Sequence, residues 1–268
     1  LRNRGHEVFC IDRGALPDSW FFDPNGFNVA SDSYSRKMWD RDLTSEERRK
    51  TENYIKGLVN GGKTLEVQGD RSSGDKLRRK YGIDRKKVLF VPLQRPNDSV
   101  IRYFSERTGG YSGFLSRVQS VAARLGDDWV VLVKKHPLEY RRPNMTSVIF
   151  ADNDDHIYDL LELANAVMVI NSGVGLLSMM FSKPVIIAGD AFYAINGVNM
   201  VSSDPDEIVT TLREGLSVDY ELVLRFIRYL RFDFYCFGKS KSFVTPFDEN
   251  GLMNVTRSVE FYEFGKVE

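Results

Sequence analysis

The chain has 268 residues, enough for one large domain or two small ones. Hydrophobic residues make up 42% and charged residues 28%, the profile of an ordinary soluble globular protein with no apolar run near the ~20 residues of a membrane span. Lys plus Arg and Asp plus Glu each number 37, so the formal charge is zero and nucleic-acid binding gains no support from it.

The opening LRNRGHEVFCID reads as the end of a helix followed by a short strand, Glu7 to Ile11, with Asp12-Arg13-Gly14 as its exit. The protein is therefore expected to begin earlier, with its N-terminal lobe truncated here. Cys10 in that strand reads as a small core residue. With only Cys236 besides it, there is no disulfide framework or metal site, which fits a reducing cytoplasm. Ala15 to Tyr34 is an aromatic, turn-rich loop punctuated by Pro17, Pro24, Asn25 and Gly26, too long to be idle. Thr44 starts a helix whose first turn carries Glu46 and Glu47, as the helix dipole prefers, and Asn60-Gly61-Gly62 ends it. Arg71 to Tyr81 is a second, basic helix stopped by Gly82, and Asp84-Arg85 reads as a linker.

From Val88 the pattern alternates. Val88 to Val91 is an apolar run suited to a parallel strand covered on both faces. A helix Ser99 to Thr108 follows, then a helix Gly113 to Leu125 with apolar positions near the helical period, then a strand Trp129 to Val133. A strand Val148 to Phe150, a helix Ile157 to Ala164, a strand Val167 to Ile170, a helix Gly175 to Phe181 and a strand Pro184 to Ala188 continue the series. Asp204 caps a helix Pro205 to Glu214, and Tyr220 to Phe237 reads as one long aromatic helix before a final loop and short helix. There is no internal repeat or low-complexity segment. Alternating strands and helices predict a doubly wound parallel sheet.

Ligands in such a sheet bind past the carboxyl ends of the strands. Three polar stretches stand there: QRPND after the first strand, KKHP after the second and NSGVG after a later one. Asp98, at the end of QRPND, is either a working carboxylate or the cap of the next helix. Alternation puts Lys134 and His136 on one face at a strand end, a pairing that suits an anion. Asn171, Ser172 and Gly173 precede a helix whose free N–H groups and positive dipole end can take a phosphate. A solvated lysine pair and an ordinary Asn/Ser cap are the plainer alternatives. Neither a G-x-G-x-x-G nor a Walker A pattern is present, and no Asp-x-Asp pair offers a metal site. His6 and His156 sit in polar contexts and read as surface residues.

In order and content these motifs resemble the bacterial capsule-type β-Kdo glycosyltransferases, which use CMP-Kdo. The matching positions are Asp12 with Gly14; Pro17, Asp23 and Gly26; Gln94 with Asp98; and Lys134, His136 and Pro137. Ser172 with Gly175, Lys183-Pro184-Val185, Gly189 and Tyr193 complete the set, and the helix around Tyr229-Leu230-Arg231 resembles the family's C-terminal end. Three positions depart. Asp12 stands where the family usually has Glu, with Pro17 where an Arg usually follows, and Leu177 stands where a Glu is usual.

The resemblance implies an α/β, GT-B-like fold with two Rossmann-like lobes of parallel sheet. Residues 1–85 would be part of the N-terminal acceptor lobe, 86–215 the CMP-sugar donor lobe, and 216–268 a helical segment returning toward the N-terminal lobe. It implies transfer of Kdo with retention, in the synthesis of capsule or lipopolysaccharide, onto a saccharide or glycolipid acceptor. Asp98 would be the nucleophile, its carboxylate oriented and kept ionised by Gln94 and Asn97, and Asp12 the base that deprotonates the acceptor. Gln94, Lys134, His136, Asn171, Ser172, Gly173 and Tyr193 would hold the donor, with no metal or other cofactor. A cytoplasmic protein is expected, peripheral at the inner face of the inner membrane or at a polysaccharide export complex. Two other functions compete: a transferase for a different CMP-sugar such as CMP-sialic acid, and a binding lobe without catalysis, which the Asp12 and Leu177 departures favour.

Overall fold

The computed structural model describes residues 4–66, 68–249 and 251–266. Strand β1 (Cys10–Arg13) pairs antiparallel with β2 (Ser19–Asp23), Asp12 facing Phe21. A connection this short cannot be the crossover that parallel pairing needs. The N-terminal strands thus join an antiparallel sheet, where a second parallel sheet had been expected. The strand also lies a little later than predicted, so Asp12 is inside it and Cys10 is only partly buried. The loop after β2 is fixed by the fully buried Asp23 carboxylate. It accepts from the Asn25 amide (2.8 Å), Ser31 Oγ (2.5 Å) and Ser33 Oγ (2.9 Å).

After the single turn α1 (Arg36–Trp39), helix α2 (Ser45–Asn60) opens with a capping box. Thr44 accepts from the Glu47 amide and Glu47 reaches back to the Thr44 amide. Helix α3 (Gly74–Lys80) leads into β3 (Lys87–Pro92), whose Val88 to Val91 are wholly buried. Then come α4 (Ser99–Phe104), shorter than predicted because a 3-10 turn takes over at Glu106–Thr108, and α5 (Gly110–Leu125). Next are β4 (Trp129–Lys134), β5 (Ile149–Phe150), α6 (Ile157–Leu163), β6 (Ala166–Val169) and α7 (Gly173–Met180). β7 (Val185–Ile187), β8 (Asn199–Val201) and α8 (Pro205–Glu214) complete this unit. Its six strands are parallel in the order β5-β4-β3-β6-β7-β8. Two apolar clusters cover the sheet, one on each face. The order reverses between β3 and β6, and the crevice of a doubly wound sheet opens at that point.

Helix α9 (Tyr220–Tyr229) continues as a π-helical turn, Leu230–Phe234. The predicted terminal helix does not follow. Instead β9 (Cys236–Asp248) and β10 (Gly251–Glu263) form a long hairpin, completing the sheet β1-β2-β9-β10. Gly238 allows this pairing, since a Cβ there would lie 2.7 Å from Val259 Cγ1. The hairpin reaches the parallel unit: the Leu252 amide donates to the Leu138 carbonyl (2.8 Å), and Phe247 lies against the Arg95 guanidinium (5.5 Å). No helix of the described residues is long and apolar enough to cross a membrane.

Candidate active site

A cleft of about 360 Å³ opens at the β3/β6 crossover. β1 contributes Asp12 and Arg13, the β3 exit Gln94 and Asp98, the β4 exit Lys134, Lys135 and His136, and the β6 exit Asn171, Ser172 and Gly173. All the predicted site residues except Tyr193 therefore line one cavity. Their hydrogen bonds separate those free to meet a ligand from those already occupied.

Asp98 is free. It occupies the N-cap position of α4, but its side chain makes no capping hydrogen bond. Partial burial raises its pKa, and the charge and amide of Arg95 pull it back. The expected partners are engaged elsewhere: Gln94 bonds Asn171, and Asn97 Oδ1 accepts from Arg102. Asp98 is thus neither a cap nor an acid stabilised by Gln94 and Asn97. Asp12 stands open to the cleft, its Oδ1 accepting from the Arg13 amide (2.7 Å); crowding by protein raises its pKa also. Arg13 pairs with Glu66 across the rim at 2.8 Å.

His136 Nδ1 accepts from the Leu138 amide (3.2 Å), so the neutral ring carries its proton on Nε2. Burial, then the charges of Arg95, Lys135 and Arg13, push its pKa down to about 3. It can donate a hydrogen bond at neutral pH but brings no charge. Ser172 caps α7, its Oγ accepting from the Val174 amide (3.2 Å). A Cβ on Gly173 would meet only Ala15 and Leu65 at ordinary contact distance, 3.5 Å or more, so the start of α7 faces the cleft.

The remaining predicted ligands hold the protein together. Lys134 turns its ammonium into the carbonyls of Asp152 (3.0 Å), Asn153 (2.7 Å) and Asp155 (2.9 Å). Burial lowers its pKa to about 8. Lys135 likewise donates to the His136 and Glu139 carbonyls. Gln94 and Asn171 exchange two bonds across the crossover (2.9 and 3.2 Å), and Asn171 Nδ2 also holds the carbonyls of Val100 in the first turn of α4 and Phe104 at its end. Tyr193 is fully buried beneath α7, donates to the Ser172 carbonyl and has its pKa raised by desolvation. It props the loop and does not reach the cleft. His156 is not a surface residue: it is buried, and its Nδ1 caps α6 by accepting from the Tyr158 amide (3.1 Å).

Sequence reasoning missed Arg13, Glu66 and an aromatic wing of Phe21, Phe27, Tyr34, Phe192 and Tyr235. The aromatic density of Ala15 to Tyr34 was the available signal. Leu177, in place of the expected Glu, lines the same cleft with an apolar side chain. Among the described residues no three His, Cys, Asp or Glu gather as metal ligands.

Fold and cleft together define an α/β, GT-B-like protein with a ligand cleft at the crossover of a Rossmann-order sheet. The chain belongs to the capsule polysaccharide biosynthesis protein family, whose profile matches residues 42–213. Its fold is that of two Kdo transferases from Thermosulfurimonas dismutans. KpsC, beta Kdo 2,4 transferase superposes with a TM-score of 0.65 at 16% identity, covering 88% of this chain and 75% of that one. KpsC, beta Kdo 2,7 transferase gives 0.59 at 18% identity, covering 96% and 78%. Protein FixF of Sinorhizobium fredii is 30% identical over 148 residues, 53% of this chain. The match spans 36% of FixF's length.

Proposed function

We propose that the protein transfers Kdo from CMP-Kdo to a saccharide or glycolipid acceptor in capsule or lipopolysaccharide synthesis, retaining the donor's configuration. The observation that carries this is the meeting of Asp98, Asp12, His136 and the start of α7 in one cleft, with the Asp98 carboxylate held by no capping bond. The CMP phosphate would lie against the first amides of α7 and the Nε2–H of neutral His136, which stabilise the departing charge without a metal. Activity is expected to survive EDTA, and loss restored by Mg²⁺ would refute this. Ionised Asp98 would attack the anomeric carbon opposite CMP, forming a glycosyl ester as the C–O bond to phosphate breaks. An acceptor hydroxyl, its proton passing to Asp12, would then displace Asp98 in a second inversion. The raised pKa of Asp12 suits a group that must take up a proton.

Mass spectrometry of enzyme quenched with CMP-Kdo tests the mechanism: a sugar adduct is expected on the peptide containing Asp98. An adduct elsewhere, or an inverted product without one, refutes it. Leu177 favours a second reading, a lobe that binds without transferring, because an apolar side chain cannot hydrogen-bond a ribose hydroxyl. Calorimetric binding of CMP-Kdo without turnover would select it. A cytoplasmic place at the inner membrane or an export complex belongs to the same proposal; co-fractionation with inner-membrane vesicles tests it.

A further inference from the structure

The β9–β10 hairpin crosses, near its tip, to the turn that carries His136. His136-Pro137-Leu138-Glu139 is a β-turn: the Glu139 amide donates to the His136 carbonyl (3.1 Å), and Pro137 stands where its fixed φ suits the bend. Inside the turn the Leu138 amide donates to His136 Nδ1 (3.2 Å), which leaves Nε2–H for the cleft. The hairpin holds the outer side of the same turn. The Leu252 amide donates to the Leu138 carbonyl (2.8 Å), and Gly251 and Glu139 form an antiparallel bridge. A Cβ on Gly251 would lie 2.5 Å from the Leu138 carbonyl oxygen, so glycine is what lets the strand come this close. A second contact reaches the β3 exit. Arg95 Nε donates to Glu139 Oε1 (3.0 Å), and the Phe247 ring covers the Arg95 guanidinium. At its base the hairpin pairs with β2, Trp20 opposite Cys236, and β2 is the neighbour of β1 and Asp12. Between base and tip Lys239 to Val244 are exposed, and a two-stranded hairpin has little stability of its own in water. Its tip is ordered by what it touches.

We propose that the hairpin tip is a latch that positions His136 for the donor phosphate: Gly251 and Leu252 fix the Leu138–Glu139 peptide, and Leu138 in turn fixes the imidazole. Gly251, Leu252 and Phe247 line no part of the cleft and are positioning residues that act through His136. The proposal rests on the phosphate-binding role given to His136 above. A neutral ring has no charge to offer, so it serves a phosphate only through a well-aimed N–H, and a hydrogen bond weakens steeply as its angle departs from linear. Holding the ring beforehand removes the cost of orienting it when the ligand arrives. Because the hairpin is rooted beside Asp12, the same element ties the sheet of the proposed base to the loops that carry His136 and Asp98.

Nitrogen–proton correlation NMR of histidine-labelled protein at neutral pH tests the latch, with His136→Ala giving the assignment. Wild type is expected to show His136 as the Nε2–H tautomer alone. In Gly251→Ala, and to a smaller degree in Phe247→Ala, the shifts of the two ring nitrogens should move toward each other as the loosened ring samples both tautomers. CMP affinity by calorimetry should fall about two- to tenfold in Gly251→Ala and no further than in His136→Ala, because one neutral hydrogen bond is at stake. Either variant combined with His136→Ala should lose nothing beyond His136→Ala itself, the non-additivity of residues that act through one group. Phe247 is 47% exposed, so its truncation leaves no core cavity, and Phe247→Ala carries the test where Gly251→Ala does not fold. An unchanged His136 spectrum in every folded variant, or losses of CMP affinity that simply add, overturns the proposal. Shifted His136 signals in a protein whose wild type does not bind CMP support the latch and refute the nucleotide reading instead.

Discussion

Replacing Asp98 by Ala separates a helix cap from a reacting group. A capping Asp lost to Ala costs about 1 kcal/mol. Asp98 makes no such bond, and burial raises its pKa, so its ionised form is held in the folded state at a cost. A charge near a helix N-terminus returns about 0.3–1 kcal/mol at most, and α4 is only six residues long. The two effects oppose, and the net change in unfolding free energy is expected within about 0.5 kcal/mol of zero. Stability contributed through Asp98 is greatest when both states are protonated and falls as pH rises past its unfolded value, so any gain from Asp98→Ala should appear near neutral pH and vanish in acid. Urea denaturation measures this, with Thr44→Ala as control; its complete capping box should cost about 1 kcal/mol. CMP affinity should be retained and sugar transfer abolished, since a nucleophile contributes mainly in the transition state. A loss near 1 kcal/mol in Asp98→Ala together with normal turnover would refute both the free carboxylate and its role.

His136→Ala should weaken CMP binding about two- to tenfold, one neutral hydrogen bond, and the change in affinity through pH 6–7 that the second ionisation of the CMP phosphate brings should be the same in wild type and variant by calorimetry, because the ring stays neutral down to about 3. The same depressed pKa means that His136 favours the folded state above its unfolded value of about 6.5, and this contribution is lost as pH falls from there toward the folded value. Lys134→Met strips three carbonyls of their donor and should destabilise by at least ~2 kcal/mol in urea, with nucleotide affinity lost only as the 152–155 turn opens. Gly175→Ala puts a Cβ 2.8 Å from Tyr193 Cε2 and should cost about 1–3 kcal/mol. Combining it with Tyr193→Phe should cost less than the sum in thermal melts, since the hydroxyl is part of the clash; strict additivity would show that α7 does not rest on Tyr193.

The parallel core was legible because its signals are local. Four consecutive apolar residues make β3, Thr44 with Glu47 and Asp204 with Pro205 write their own helix starts, and strand exits are polar where apolar runs stop. Asp98, His136, Ser172 and Gly173 were found in this way, Asp12 by the family resemblance, and all five share one cleft. The C-terminal hairpin was missed although Asn250-Gly251 is a hairpin dipeptide; the aromatic run of α9 continues into β9 and hides the change of period.

What the sequence by itself determined is therefore the parallel strand–helix series and the strand ends where a ligand can bind. Only the tertiary structure decided which polar side chains at those ends remain available. Gln94 and Asn171 are 77 residues apart and consume each other, and Lys134 spends its ammonium on carbonyls 18 to 21 residues away. A buried polar group must be satisfied by whatever the fold brings beside it, and that neighbour is not written in the local pattern.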